Sequence, residues 1–152
     1  MAFKYQFETI LNLKIRIEDM KKGELKLALE KFEQEKEKLN RLNKEKEEQY
    51  EIFKEKQKDK FTAEDLRLFN NYINSLNKKI DYQSAVVAKE EKKVNKVREE
   101  LVKASKEKKM FEKLKEKKLE EYMQEYYAQE QQVVDNIVSF KYNGNGGASD
   151  EW

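Results

Sequence analysis

From residue 66 to residue 111 the chain repeats a step of three and then a step of four. The positions read Leu66, Phe69, Ile73, Leu76, Ile80, Gln83, Val87, Glu90, Val94, Val97, Leu101, Ala104, Lys108 and Phe111, and eleven of the fourteen are apolar. The residues between them are largely charged. At 3.6 residues per turn this spacing draws one narrow apolar line along a helix, the seam of a left-handed coiled coil. A line that narrow buries itself against one more helix and cannot build a globular core.

Composition agrees with that constraint. Of the 152 residues 42% are charged and 38% apolar, with four Gly and no Pro. A globular domain of this length carries nearer half apolar residues, and a chain this polar is disordered unless its apolar residues fall on a fixed period. Here they do. The first half repeats the pattern less cleanly, through Leu25, Ala28, Phe32, Glu35, Leu39, Leu42, Lys46, Gln49 and Phe53. Upstream, Phe3, Phe7, Ile10 and Ile17 extend the stripe, and Leu11, Leu13, Ile15 and Met20 widen it. A wide stripe is suited to more than one neighbour.

Continuing the first seam past Phe53 would require Lys56, Lys60 and Ala63, so the two halves are out of phase. Between them lies DKFTAEDL, in which Thr62 is an N-cap and Asp65 its capping-box partner, with Phe61 and Leu66 as a hydrophobic staple. The expected fold is all-α: two long helices in an antiparallel coiled-coil hairpin, the second longer than the first. Helix 1 is placed at about 3–59, the turn at about 58–62 and helix 2 at about 63–140, one rod over residues 1–142, with a disordered Gly-rich tail at 143–152. The competing arrangement is a single unbroken helix that dimerises in parallel.

Lengths then single out one stretch. At about 1.5 Å per residue the helices span roughly 85 and 115 Å, and folding about the turn pairs positions whose numbers sum to roughly 122. Phe3 therefore meets the chain near Leu119, and everything beyond overhangs. That overhang carries Tyr122, Met123, Tyr126, Tyr127, Val133, Val134, Ile137, Val138 and Phe140 on several faces of one helix. After Phe111 the steps through Lys115 and Leu119 are four and four, a stutter that locally unwinds the supercoil before the seam resumes at Met123. Apolar residues on a helix without a partner mark an interface, either with a second copy or with a different protein.

Other chemistries are excluded by what is missing. The chain has no Cys and no His, which removes thiol nucleophiles, the usual zinc ligands and the commonest general base. No glycine-rich loop ends in Gly-Lys-Ser/Thr, and adjacent acids such as Glu90/Glu91 diverge by about 100° on a helix with no pocket to raise a pKa. Residues 86–118 hold thirteen Lys/Arg against seven Asp/Glu, yet only Phe111 interrupts them, so base stacking is absent and nucleic acid is not expected. No apolar run approaches the ~18 residues of a membrane span, and the N-terminus lacks a signal-peptide pattern. A cytoplasmic, non-catalytic helical protein without cofactors is expected.

Both ends carry a family resemblance. FKYQFETILNLKIRIEDMKKGEL is similar to the start of the flagellar export protein FliJ family, and EQQVVDNIVSFKY resembles that family's C-terminal pattern, with Asn136 where an acid is usual and Gln132 where a Lys is. The resemblance covers about residues 1–142. It implies a stalk similar to the gamma subunit of rotary ATPases, peripheral at the inner face of the membrane and a monomer when free. Its partners would be the hexameric flagellar export ATPase, the cytoplasmic domain of the export gate and export chaperones. The ATPase would take the end carrying Phe3, Phe7, Ile10, Tyr122, Met123, Tyr126, Tyr127, Val133, Ile137 and Phe140. The gate would take exposed residues flanking the turn, for which Leu42, Tyr50, Tyr72, Leu76, Lys79 and Gln83 match, although Leu42 and Leu76 also lie on the seam. The alternative function is a self-associating coiled-coil scaffold.

Overall fold

The structure, a computed structural model, describes residues 2–149, with side chains to residue 144. It is all-α: helix α1 spans Glu8–Lys56 and helix α2 spans Ala63–Ser149, and the second is the longer. The helices pack antiparallel on one another within each of two compact units. One unit brings together Met1–Ile15 and Lys106–Trp152, the other holds Arg16–Ser105.

In the unit of residues 16–105 the seam is the one the heptads define. Ile73, Leu76, Gln83, Glu90, Val94 and Ala104 are buried, and the remaining seam positions from Phe69 to Leu101 are half-buried. Leu66, at the start of α2, is exposed. On α1 every position from Leu25 to Phe53 in the three–four series is buried or half-buried. Cross-helix pairs fix the register: Lys21 Nζ lies 2.9 Å from Glu100 Oε2, Gln83 bonds Glu35, and Phe53 stacks on Phe69 at 3.9 Å between centroids. Their residue numbers add to about 120, as a hairpin closed near residue 60 requires.

The turn forms as its chemistry dictates. The N–H of Asp65 donates to Thr62 Oγ1 at 3.1 Å, and the N–H of Thr62 donates to Asp65 Oδ2 at 3.2 Å, a complete capping box. Those bonds hold the Asp65 carboxyl below its usual range. Phe61, assigned by sequence to a staple with Leu66, meets Phe53 edge-on at 5.2 Å. α1 stops at Lys56 because the next amides turn back tightly: Lys58 N–H reaches Glu55 O and Asp59 N–H reaches Lys56 O. Lys54 and Lys56 sit in its last turn, where they complement the helix dipole.

The unit of residues 1–15 and 106–149 departs from the sequence expectation in two respects. Residues 2–7 are not helical. They lay Tyr5, 8% exposed, against α2, where its hydroxyl donates to the Phe111 carbonyl at 3.0 Å. Second, the most buried line of α1 is not the one through Ile10, which is exposed, and Ile17, which is half-buried. It runs through Phe7, Leu11 and Lys14, and continues along the helix through Glu18 and Lys21. Ion pairs explain the choice. Lys14 meets Glu107 at 2.9 Å and Glu8 meets Lys115 at 2.9 Å, so charged seam positions that an apolar count passes over find opposite charges across the seam. At the far end α2 runs on through Gly144 to Ser149, into the stretch read as a tail, and residues 150–152 lie outside the described residues.

Candidate functional site

Two surfaces hold the residues singled out by sequence. The first is the part of α2 beyond Tyr122, whose ring meets that of Phe3 at 5.5 Å. From Met123 to Gly144 every residue is exposed. Met123, Tyr126, Tyr127, Val133, Ile137 and Phe140 all lie on this bare helix, and Phe140 is 80% exposed. Tyr126 and Tyr127 touch edge-on at 5.9 Å. Hydrogen bonding to Glu130 raises the Tyr126 hydroxyl above its ordinary pKa, since ionisation would set two negative charges side by side. Phe3 and Phe7 are half-buried at the base of this stretch, Phe7 against Phe111 at 6.3 Å, and Ile10 is exposed on α1.

The physical consequence is direct. A helix of this length gains little from intrinsic propensity alone, and its stability in a protein comes from burying an apolar face. Past Tyr126 the large apolar side chains are more than half exposed, while Met123 and Tyr126 keep 37% and 43% of their surface free. Their side chains are arranged for contact, with acids Glu125, Glu130 and Asp135 between the apolar positions and no base until Lys141.

The second surface flanks the turn. Tyr50 packs edge-on to Phe69 at 5.4 Å while remaining exposed, and Tyr72 is exposed with its hydroxyl donating to Glu45. Lys79 is exposed and Leu42 half-buried. Leu76 and Gln83 belong elsewhere. Leu76, 2% exposed, is the most enclosed apolar side chain of its unit, and Gln83 is buried with its amide donating to Glu35 Oε2 at 2.6 Å and to the Glu35 carbonyl at 2.9 Å. Both form the seam and are buried between the helices. The sequence reading missed Ile52 and Leu68, exposed residues that with Phe53 and Phe61 line a cleft of about 180 Å³ beside the turn. Their signal was faint, because both sit between seam positions where a heptad search expects polar residues.

Glu35 anchors a polar layer within the seam. Gln83 is the largest influence on its carboxyl, followed by Lys31, 3.0 Å away, and together with Lys38 they hold its pKa down to about 2. Lys31 is raised in return. No buried side-chain nitrogen or oxygen among the described residues lacks a hydrogen-bond partner. Nor do the described residues gather three or more carboxylates into a set able to hold a metal ion.

The sequence and the fold find counterparts in known proteins. The sequence profile of the family described as Flagellar FliJ protein matches residues 3–147. The chain belongs to the flagellar FliJ family. A curated relative, the Flagellar FliJ protein of Bacillus subtilis strain 168, is 29% identical over 137 residues, covering 90% of this chain and 93% of its own. Among solved structures, a YscO homolog from Chlamydia trachomatis superposes with a TM-score of 0.56 at 20% identity, over 93% of this chain and 96% of that one. That likeness shows a shared fold. FliJ-family membership makes this a flagellar, export-related coiled-coil protein. No helix among the described residues is long and apolar enough to cross a membrane.

Proposed function

We propose that the chain is a non-enzymatic stalk and adaptor of the flagellar type III export apparatus, inserting the end that carries both termini into the hexameric export ATPase. One observation carries this reading: the helical stretch of α2 beyond Tyr122, apolar on several faces and exposed along its whole described length. A stalk within a six-fold ring meets several non-equivalent subunits at once, so its tip needs apolar contacts around the helix and not along one line. Tyr126 and Tyr127 face different directions, as do Val133 and Val134 and Ile137 and Val138, because adjacent helical residues diverge by about 100°. The action is mechanical: an asymmetric tip makes different contacts in each subunit and biases the nucleotide cycle of the ring.

The export-gate contact falls on Leu42, Tyr50, Tyr72 and Lys79, the members of that set with accessible surface, and export chaperones dock on the same adaptor. The protein then sits peripherally at the inner face of the membrane through the apparatus. The test mixes purified protein with the export ATPase and follows hydrolysis and hexamer formation. Full-length protein raises both. A variant lacking residues 120–142 raises neither and still binds the gate domain. Unchanged hydrolysis with the full-length chain would refute the proposal.

A further inference from the structure

Past Tyr122, α2 resumes a three–four seam through Met123, Tyr126, Glu130, Val133, Ile137 and Phe140, and all six are exposed. The stretch lies wholly within the unit of Met1–Ile15 and Lys106–Trp152. Its steps of three, four, three, four and three read the same from either end. Such a seam is its own complement about a two-fold axis. An antiparallel second copy sets Met123 on Phe140, Tyr126 on Ile137 and Glu130 on Val133, and the axis repeats each layer.

Charge selects this occupant and this register. Residues 119–144 hold five acids, Glu120, Glu121, Glu125, Glu130 and Asp135, and a single base, Lys141. Lys141 follows the seam residue Phe140 as Glu120 follows Leu119, one heptad step before the series, so both stand on the same flank of the seam. Antiparallel helices bring like flanks together, and the register above sets Lys141 level with Glu120 of the other copy, once at each end of the contact. Sliding by one heptad in either direction puts Lys141 beside Tyr127 or Lys113 instead. Between the two ion pairs the same flank matches Tyr127 with Val134, and the opposite flank matches Gln129 with Asn136, two amides that can bond each other. A parallel in-register pair lacks these matches. It faces Glu130 with Glu130 and places Lys141 beside Asn136.

Glu130 is the one charged member of the six. It is hydrogen-bonded to the Tyr126 hydroxyl of its own helix, and the seam of residues 16–105 buries carboxylates at Glu35 and Glu90. A polar residue on a seam costs stability and fixes register. Six layers with their flanking side chains bury on the order of 1,000 Å² between the copies, the size at which specific interfaces begin.

We propose that the free chain associates as an antiparallel two-fold dimer through residues 119–141 of α2, with the axis passing between Gln131 and Gln132. The sequence alone led to the expectation of a monomer. The dimer stands whether or not the same end enters the ATPase, and its tests contain no ATPase.

The chain has no cysteine, so single introduced thiols report the register. Tyr126→Cys chains mixed with Ile137→Cys chains under mild oxidation give a disulfide-linked species of twice the monomer mass. Either variant oxidised alone gives at least ~fivefold less, because its two thiols lie more than ~15 Å apart along the axis. In sedimentation equilibrium the wild-type mass doubles with concentration. Val133→Glu stays monomeric with unchanged helicity by circular dichroism. Lys141→Glu weakens association at least ~fivefold, since two attractive pairs become repulsive, and adding Glu120→Lys to it restores wild-type association. A wild type that stays monomeric at every concentration overturns the proposal. So does a Tyr126→Cys variant that links to itself as readily as to Ile137→Cys, which is the signature of a parallel pair, and so does a charge swap that fails to restore association.

Discussion

Replacing Leu76 by alanine tests whether this residue belongs to the seam or to a partner surface. The side chain is 2% exposed, the most complete apolar burial in the unit of residues 16–105. Leu→Ala removes three carbon atoms, each worth about 0.8 kcal/mol of transfer energy, or about 2.4 kcal/mol in all. A cavity adds to that in a three-dimensional core, where such changes reach about 5 kcal/mol. A two-helix seam is open to solvent on both sides, and water or neighbouring side chains relax into the gap, so the total stays near about 2.5–3 kcal/mol. With a urea m-value of about 2 kcal/mol/M, the unfolding midpoint falls by about 1–1.5 M. The thermal midpoint falls by roughly 6–10 °C. Circular dichroism at 222 nm reads both, with Leu68→Ala as the control: Leu68 is 62% exposed, about 100° round the helix from the seam, and its loss shifts the urea midpoint by less than ~0.3 M. If Leu76→Ala unfolds with the wild-type midpoint, the burial argument is wrong and Leu76 returns to the gate-binding candidates.

Three further outcomes follow from the same contacts. Gly23 lies in the interior of α1 with open space around the site of a Cβ, so Gly23→Ala stabilises by about 0.5–1 kcal/mol in urea unfolding. Thr62→Ala opens the capping box at the start of α2 and costs about 1 kcal/mol, with amide exchange of residues 63–66 accelerating ahead of the rest of the helix. Glu35, with its carboxyl held down to about 2, contributes stability above its unfolded pKa of about 4.3 and loses it as pH falls through about 2. The Glu35→Gln variant therefore loses less of its thermal midpoint than wild type between pH 5 and pH 2, and parallel losses would show that the carboxylate is not held by Gln83 and Lys31.

The sequence alone determined the helices, their antiparallel order and the seam from Phe69 to Phe111, because a coiled coil writes its partner face into the chain as a period that needs no long-range information. The Thr62–Asp65 cap was legible for the same reason: its donors and acceptors lie within four residues. The bare end was legible as arithmetic, since two helices of unequal length joined by a short turn leave the longer one uncovered. What the sequence could not rank were the parallel stripes at the start of α1. Counting apolar residues favours the line through Ile10 and Ile17, whereas the fold buries Leu11 and Glu18 and half-buries Lys14 and Lys21 beside them. The preference depends on Glu107 and Glu100 standing opposite two of those lysines, on a helix nearly a hundred residues away in the chain. Tyr5 was invisible on the same ground, since a tyrosine outside any helical period gains its place only from the Phe111 carbonyl across the hairpin. Periodicity is local and survives in one dimension, but the pairing of a particular charge or hydroxyl exists only once the register of two distant segments is set.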